Sequence, residues 1–198
     1  LMAIYQELDI HYKRENIKVT PWARLYNSIQ NNDVFAGFSM ANTPERERLF
    51  KLVPLPSPTK TSILILTSRK HQLKNIAVDD LTIAVVREDV GQLRLNKANI
   101  LAEQIETTTA ESMLKMLIYH RVDAIAYAED VAHFQYKKLG LLKESLVPIH
   151  VLDDEALASF AFHKNTPACV IDLFAKTIAE LHQRGDLAVI RNKYISND

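Results

Sequence analysis

Cysteine and glycine are scarce in this sequence of 198 residues, and each scarcity excludes a class of protein. The single cysteine, Cys169, excludes an internal disulfide. It lies on the apolar face of a predicted helix, where we expect a buried core thiol. The four glycines are scattered, so the chain has no glycine-rich linker and no phosphate-binding loop. Basic and acidic residues number 24 each. This balance lacks the basic excess of a nucleic-acid binder, so we expect no nucleic-acid partner.

Familiar catalytic and metal-binding patterns are missing as well. The seven histidines show no HExxH motif or other close ligand spacing. Neither a GxSxG nucleophile motif nor a GxGxxG dinucleotide motif occurs. We therefore expect no metal, no cofactor and no enzymatic activity. No apolar run approaches the ~18 residues that cross a bilayer. The sequence starts at Leu1 without a secretion signal, which is typical of a mature or trimmed segment.

Predicted strands and helices alternate through the middle of the chain. Alternation of this kind is typical of parallel α/β units. The three prolines at 54, 56 and 58 predict an irregular crossing between two of the strands. Gly185 is expected to end a long helix near the C-terminal end. The predicted strands cover residues 34–39, 63–66, 81–86, 122–127, 147–152 and 157–163. The pattern indicates an α/β fold with parallel-rich sheets and helices on both faces.

Two stretches place charged side chains beside predicted helix starts. Thr43 and Pro44 have the N-cap and N1 pattern of a short helix, and Arg46 follows them. Free N–H groups of such a turn, together with an arginine, suit a carboxylate. In the second stretch, Arg87 and Asp89 stand where a strand passes into a helix. Surface helices with alternating charges share the same pattern, so the pattern alone leaves both interpretations open.

The order of these motifs resembles the extracytoplasmic solute-binding proteins of bacterial family 3, the polar amino-acid transport type. The resemblance spans nearly the whole chain. It departs from the family pattern where residues 88–90 replace a Gly-Thr loop and where Ala41 replaces a small hydroxyl residue. The matching residues are Trp22-x-Arg24, Thr43-x-x-Arg46, Phe50, Pro54, the 81–86 strand with Arg87 and Asp89, His120-Arg121-Val122-Asp123-Ala124, and Ile190-Arg191-x-Lys193-Tyr194.

The resemblance implies a two-lobed periplasmic-binding-protein-like fold of type II, with the ligand in the interlobe cleft. Lobe 1 would comprise residues 1–67 and 158–198, and lobe 2 residues 68–157. The family's first strand would be missing at the N-terminus. The implied function is capture of a small polar solute, an amino acid or a similar carboxylate-bearing ligand, by hinge closure. The implied partner is an inner-membrane ABC permease. We expect a periplasmic monomer that is exported by a signal peptide outside this segment.

The resemblance also implies roles for particular side chains. Arg46 is expected to be the main contact for a ligand carboxylate, and Trp22 to stack on the ligand. Glu129, or Asp130 next to it, is expected to hold a ligand ammonium group. Arg87 and Asp89 are expected to pair with each other before ligand binds. The predicted ligand-binding residues are Trp22, Arg24, Ser39, Thr43, Arg46, Arg87, Asp89, Tyr127, Glu129 and Asp130.

Two other functions stay open at this point. The resemblance also covers ligand-sensing extracytoplasmic domains of membrane signalling proteins, namely kinases and cyclases. A few relatives are dehydratase-type enzymes, which need an acid–base carboxylate in the cleft. Glu129 and Asp130, which follow the 122–127 strand, are the candidates for that role.

Overall fold

Two β-sheets covered by helices organise the chain, and the computed structural model describes residues 1–141 and 145–195. Each sheet belongs to its own unit. The first unit comprises Leu1–Thr20, Arg24–Pro58 and the chain from Leu157 onward, and the second comprises Pro21–Ala23 and Thr59–Ala156. The mixture of sheets and helices confirms the predicted α/β class.

The helices and strands of the described residues follow one another in short segments. The helices are α1 (Met2–Glu7), α2 (Trp22–Gln30), α3 (Pro44–Leu49), α4 (Lys70–Leu73), α5 (Val90–Lys97), α6 (Ala110–Ile118), α7 (Glu129–Lys138), α8 (Ala168–Gln183) and α9 (Asp186–Ile195). The strands are β1 (Ala36–Ala41), β2 (Phe50–Pro58), β3 (Thr61–Leu66), β4 (Thr82–Val86), β5 (Glu103–Thr107), β6 (Ala124–Ala128), β7 (Leu146–Asp153) and β8 (Leu157–His163). Single 3-10 turns lie at Arg14–Asn16, Thr67–Arg69 and Val78–Asp80.

The sheet of the first unit has three strands in the order β1-β8-β2, and both outer strands run antiparallel to β8. β2 contains the three prolines that predicted an irregular crossing. They lie in a strand rather than in a loop, but the register of β2 against β8 shifts between Pro54 and Pro58, and the chain leaves the first unit after Pro58. β2 is an outer strand, where a proline whose nitrogen faces away from the neighbouring strand costs no sheet hydrogen bond. The core of this unit packs α1 and α8 against β2 and β8 through Ile4, Val53, Phe160, Phe162, Phe174, Ile178 and Leu181.

The sheet of the second unit has five strands in the order β5-β4-β6-β3-β7. β4 is parallel to both β5 and β6, whereas β3 is antiparallel to both β6 and β7. This sheet is therefore mixed and the first sheet is antiparallel, so the prediction of parallel-rich sheets is corrected. β5, with the sequence EQIET, escaped prediction because it is largely polar and only partly buried. Apolar clusters cover both faces of this sheet.

The chain passes into the second unit after Pro58 and leaves it after Ala156. Residues 59–67, which the sequence assigned to lobe 1, lie in the second unit. The reason is strand pairing, since β3 bonds to β6 and β7 rather than to any strand of the first sheet. The alternation of apolar residues predicts that β3 is a strand but does not choose its neighbours.

Local signals at helix ends hold with small shifts. Thr43 is the N-cap of α3, as predicted, and its Oγ1 accepts the Arg46 N–H at 3.3 Å. Gly185 ends α8 with a φ of +82°, a conformation that favours glycine. Cys169 is exposed in the first turn of α8, so the expected core thiol is wrong. Within the described part of the chain, none of the helices has the length and apolarity to cross a membrane.

Candidate functional site

In the first unit, the short helix α3 holds the residues predicted to bind a carboxylate. Thr43 is buried and caps the helix, while Arg46 is only 2% exposed. The Arg46 Nη1 donates to the carbonyl oxygen of Ala41, at the end of β1, over 3.2 Å. A guanidinium keeps its charge even when buried, so it requires acceptors around it. This arrangement fixes a permanent positive charge at the junction of β1 and α3.

Ser39 and Arg24, also predicted site residues of the first unit, are exposed. Ser39 has a φ of +71° and lies where the register of β1 against β8 shifts, between Phe38 and Met40. This is a β-bulge, and bulges are common beside functional sites. Arg24 lies in the first turns of α2.

In the second unit, Trp22 forms a hydrogen bond with the loop that precedes α5. Its indole Nε1 donates to the carbonyl oxygen of Glu88 at 2.9 Å, and its ring packs on the apolar cluster that includes Val86. The Asp89 carboxylate caps α5 and accepts the Val90 N–H at 2.7 Å. Trp22 is therefore a structural neighbour of the start of α5.

Arg87 does not pair with Asp89 as predicted. Its Nε lies 3.1 Å from Glu106 Oε2, and both side chains are about half exposed. Glu106 lies on β5, the parallel neighbour of β4, and the register pairs it with Val85. Arg87 therefore pairs with Glu106 on the neighbouring strand, which is distant in the sequence. The Asp89 carboxylate instead caps α5.

Tyr127, Glu129 and Asp130 lie where β6 passes into α7. Glu129 Oε1 accepts the hydroxyl of Ser62 at 2.5 Å, and the Glu129 N–H donates to the Lys60 carbonyl oxygen at 2.8 Å. Ser62 is fully buried on β3 and pairs in register with Tyr127. The sequence did not predict a role for Ser62. The only indication in the sequence is that a hydroxyl residue lies inside an apolar strand.

Burial, and then the negative charge of Asp89, raise the pKa of Tyr127 well above its ordinary value of 10. The phenol therefore stays protonated at neutral pH and can donate a hydrogen bond. Because β4 and β6 are parallel neighbours, Asp89 and Tyr127 share the edge formed by their carboxyl ends. Glu129 and Asp130 follow at the same edge. The edge thus collects three carboxylates, a phenol and the indole of Trp22, a set that suits a cationic group.

Within residues 1–141 and 145–195, no group of three or more histidine, cysteine, aspartate or glutamate side chains could hold a metal ion. The first unit holds a buried guanidinium, and the second unit holds a carboxylate-rich sheet edge.

The fold is that of the type II periplasmic binding proteins. The profile of the bacterial extracellular solute-binding proteins, family 3, matches residues 2–197, and the chain belongs to this family. The predicted family and the type II periplasmic-binding-protein fold are confirmed. No curated protein sequence matches the chain.

Solved structures show the same fold at low sequence identity. An amino acid ABC transporter substrate-binding protein from Streptococcus pneumoniae Canada MDR_19A, bound to L-arginine, has a TM-score of 0.84 and 19% identity over 98% of this chain and 80% of that one. A histidine kinase sensor domain with similarity to periplasmic binding proteins has a TM-score of 0.79 and 15% identity over 98% and 83%. The ancestral amino acid-binding protein AncCDT-1, a precursor of cyclohexadienyl dehydratase, has a TM-score of 0.80 and 16% identity over 98% and 82%.

Proposed function

We propose that the chain binds a small polar solute carrying a carboxylate, and that amino acids are the ligand class. The observation that carries this proposal is the separation of charge between two sets of residues. Arg46 offers a buried guanidinium beside the capped start of α3. Asp89, Glu129 and Asp130 gather at one sheet edge of the second unit. An amino acid carries one group for each set, an anion for the first and a cation for the second.

The individual roles follow from the donors and acceptors on each side chain. Arg46 binds the ligand carboxylate through its planar fork, helped by Thr43 and the N–H groups of α3. Trp22 stacks on the apolar or cationic part of the ligand, and the Tyr127 hydroxyl donates to it. Arg24, Ser39 and Arg87 contribute from the exposed margin of the proposed site.

Glu129 is the first carboxylate we assign to a ligand ammonium, with Asp130 second. Its Oε1 is held by Ser62, which fixes the orientation of the carboxylate. Within the described part of the chain, Glu129 Oε2 makes no hydrogen bond to protein. One fixed oxygen and one available oxygen are what a binding carboxylate needs. We propose no catalytic role for Glu129.

In this proposal the protein captures the solute reversibly by hinge closure, without bond chemistry, and delivers it to an inner-membrane ABC permease. The family membership and the likeness to an amino acid ABC transporter substrate-binding protein support this role. The family membership also supports a periplasmic location, and we propose that the protein is an exported monomer.

A second candidate function is ligand sensing outside the cytoplasm for a membrane kinase or cyclase. The likeness to a histidine kinase sensor domain favours it. The complete coding sequence separates the two functions. A transmembrane segment followed by a signalling domain indicates a sensor, whereas neighbouring permease and ATPase genes indicate a transporter.

A thermal-shift screen against the proteinogenic amino acids, small peptides and simple organic acids tests the ligand class. A ligand at a hundredfold its Kd stabilises the folded protein by about 2.7 kcal/mol, which raises the melting temperature by about 5–10 °C. We expect Asp89→Asn and Glu129→Gln to weaken amino-acid binding more than binding of organic acids without an ammonium group.

The matched control is Glu111→Gln, because the Glu111 carboxylate pairs with Lys115 on the exposed face of α6. This variant should bind like the parent. If Asp89→Asn and Glu129→Gln also bind amino acids as tightly as the parent, the second unit recognises no ammonium group and the amino-acid assignment is wrong.

A further inference from the structure

We propose that the ion pair between Arg94 and Asp153 is a positioning device for ligand binding, an inference that rests on the proposed function. It fastens α5, whose first turn carries Asp89, to the turn through which the chain leaves the second unit. Arg94 and Asp153 do not touch the ligand themselves.

The pair is shielded from solvent. Arg94 Nη2 and Asp153 Oδ2 are in direct contact, and each side chain is only 14% exposed. Salt screens a pair at this depth much less than an exposed pair. Removing either partner leaves the charge of the other buried and uncompensated, which is destabilising. Arg94 Nε is also buried and has no hydrogen-bond partner among residues 1–141 and 145–195. Arg94 therefore keeps its contact with Asp153 even though its Nε–H donor is left unsatisfied.

Asp153 organises the two crossings at the ends of the long segment of the second unit, one before Thr59 and one after Ala156. Its Oδ1 accepts the N–H groups of Glu155 at 2.9 Å and Ala156 at 3.0 Å. The carbonyl oxygen of Ala156 in turn accepts the N–H and the hydroxyl of Thr59, at 2.7 and 3.0 Å. Thr59 and Ala156 are the first and last residues of the long segment of the second unit. One carboxylate therefore supports the turn that ties the two crossings together.

On its other side, the ion pair holds α5 through Arg94. The helix runs over Val90–Lys97, so Arg94 lies one turn beyond its first residues and moves with them as one rigid element. Just before the helix, the carbonyl oxygen of Glu88 accepts a hydrogen bond from Trp22 Nε1, and Asp89 caps the helix. A displacement at Asp153 consequently reaches Asp89, Glu88 and Trp22 through a single short helix.

Two variants break the pair without removing the turn. Asp153→Asn keeps an oxygen that accepts from Glu155 and Ala156 but loses the charge facing Arg94. Arg94→Met keeps an unbranched side chain but loses the guanidinium and its charge. The matched control is Asp123→Asn in the same unit, because Asp123 also pairs with an arginine, Arg69 at 3.0 Å, and accepts a backbone N–H, that of Thr82 at 3.1 Å.

The first readouts need no ligand. Trp22 is the only tryptophan of the chain, so its emission reports on the start of α5. Hydrogen exchange of the Thr59 amide reports on the crossings. We expect Asp153→Asn and Arg94→Met to shift the Trp22 emission and to speed Thr59 exchange. Asp123→Asn should lower the melting temperature by a similar amount while both readouts stay at parent values, and Arg94→Lys should partly restore both.

The proposal is overturned if Trp22 emission and Thr59 exchange in Asp153→Asn match the parent, or if Asp123→Asn changes them equally. With L-arginine as the probe, we expect Asp153→Asn to weaken binding by at least about fivefold while Asp123→Asn binds like the parent. Parent protein that binds no amino acid contradicts the proposed function, whereas the ligand-free readouts still decide the positioning role.

Discussion

Gly91, in the first turn of α5, tests how closely this helix packs against strand β6. A Cβ atom placed on Gly91 would lie 1.9 Å from the carbonyl oxygen of Ala126 and 2.7 Å from its carbonyl carbon. Ala126 is in β6, the middle strand of the five-stranded sheet. A backbone carbonyl there cannot move without disturbing the sheet, so α5 itself must move outward. Gly91→Ala is therefore predicted to be destabilising, although alanine is the better helix former.

The magnitude follows from two opposing effects. Replacing glycine by alanine in a helix interior ordinarily stabilises by about 1 kcal/mol. Overpacking of a rigid contact costs about 1–3 kcal/mol, and outward movement also strains the Trp22–Glu88 hydrogen bond. We expect a net loss of about 1–2 kcal/mol in urea unfolding, together with a shift of Trp22 emission.

Gly37→Ala is the matched control for this experiment. Its added Cβ would meet the end of the Ile29 side chain at 2.3 Å, and that side chain can rotate away. The cost at Gly37 should be smaller than at Gly91. A Gly91→Ala protein that is as stable as the parent, with unchanged Trp22 emission, would refute the close seating of α5 on β6.

Three further substitutions test other parts of the structure. Thr43→Ala should lower the free energy of unfolding by about 1 kcal/mol in urea titration, whereas Thr43→Ser, which keeps the cap, should cost less. Arg46→Ala should cost about 1–3 kcal/mol without ligand, because the buried Ala41 carbonyl oxygen loses its donor; a parent-like melting temperature would contradict this. The hydrogen bond from Arg184 holds the pKa of Glu7 below its ordinary value of 4.5, so its stabilisation is present above that pH and is lost as the pH falls through the lowered pKa. Glu7→Gln should therefore melt below the parent at pH 7, and the difference should shrink under acidic conditions.

Features encoded by neighbouring residues were predictable from the sequence. The Thr43 cap, the end of α8 at Gly185 and the strand β4 each depend on a few adjacent residues, and the structure contains all three. At α6, the capping-box spacing of Thr108 and Glu111 predicts an N-cap at Thr108, but the N-cap is Thr109, whose Oγ1 accepts the Ser112 N–H.

Features that depend on distant residues were not predictable. The prolines of β2 argue against a strand unless the strand lies at a sheet edge, and position in a sheet is a tertiary property. The same holds for the Ser62–Glu129 hydrogen bond, which joins residues 67 positions apart, and for the Arg87–Glu106 pair. The ligand-binding roles of the ten predicted residues stay predictions.

Calorimetric titration of the parent and of Arg46→Ala with the amino acid that gives the largest thermal shift tests the central claim most directly. Charge-assisted hydrogen bonds contribute about 1.5–3 kcal/mol each, so loss of the guanidinium should weaken binding by about tenfold to a hundredfold or more. We predict one amino acid bound per parent chain, a Kd raised by that factor in Arg46→Ala, and a partial loss of affinity in Arg46→Lys. Amino-acid binding of equal strength in the parent and in a folded Arg46→Ala protein, or no binding by the parent, would contradict this prediction.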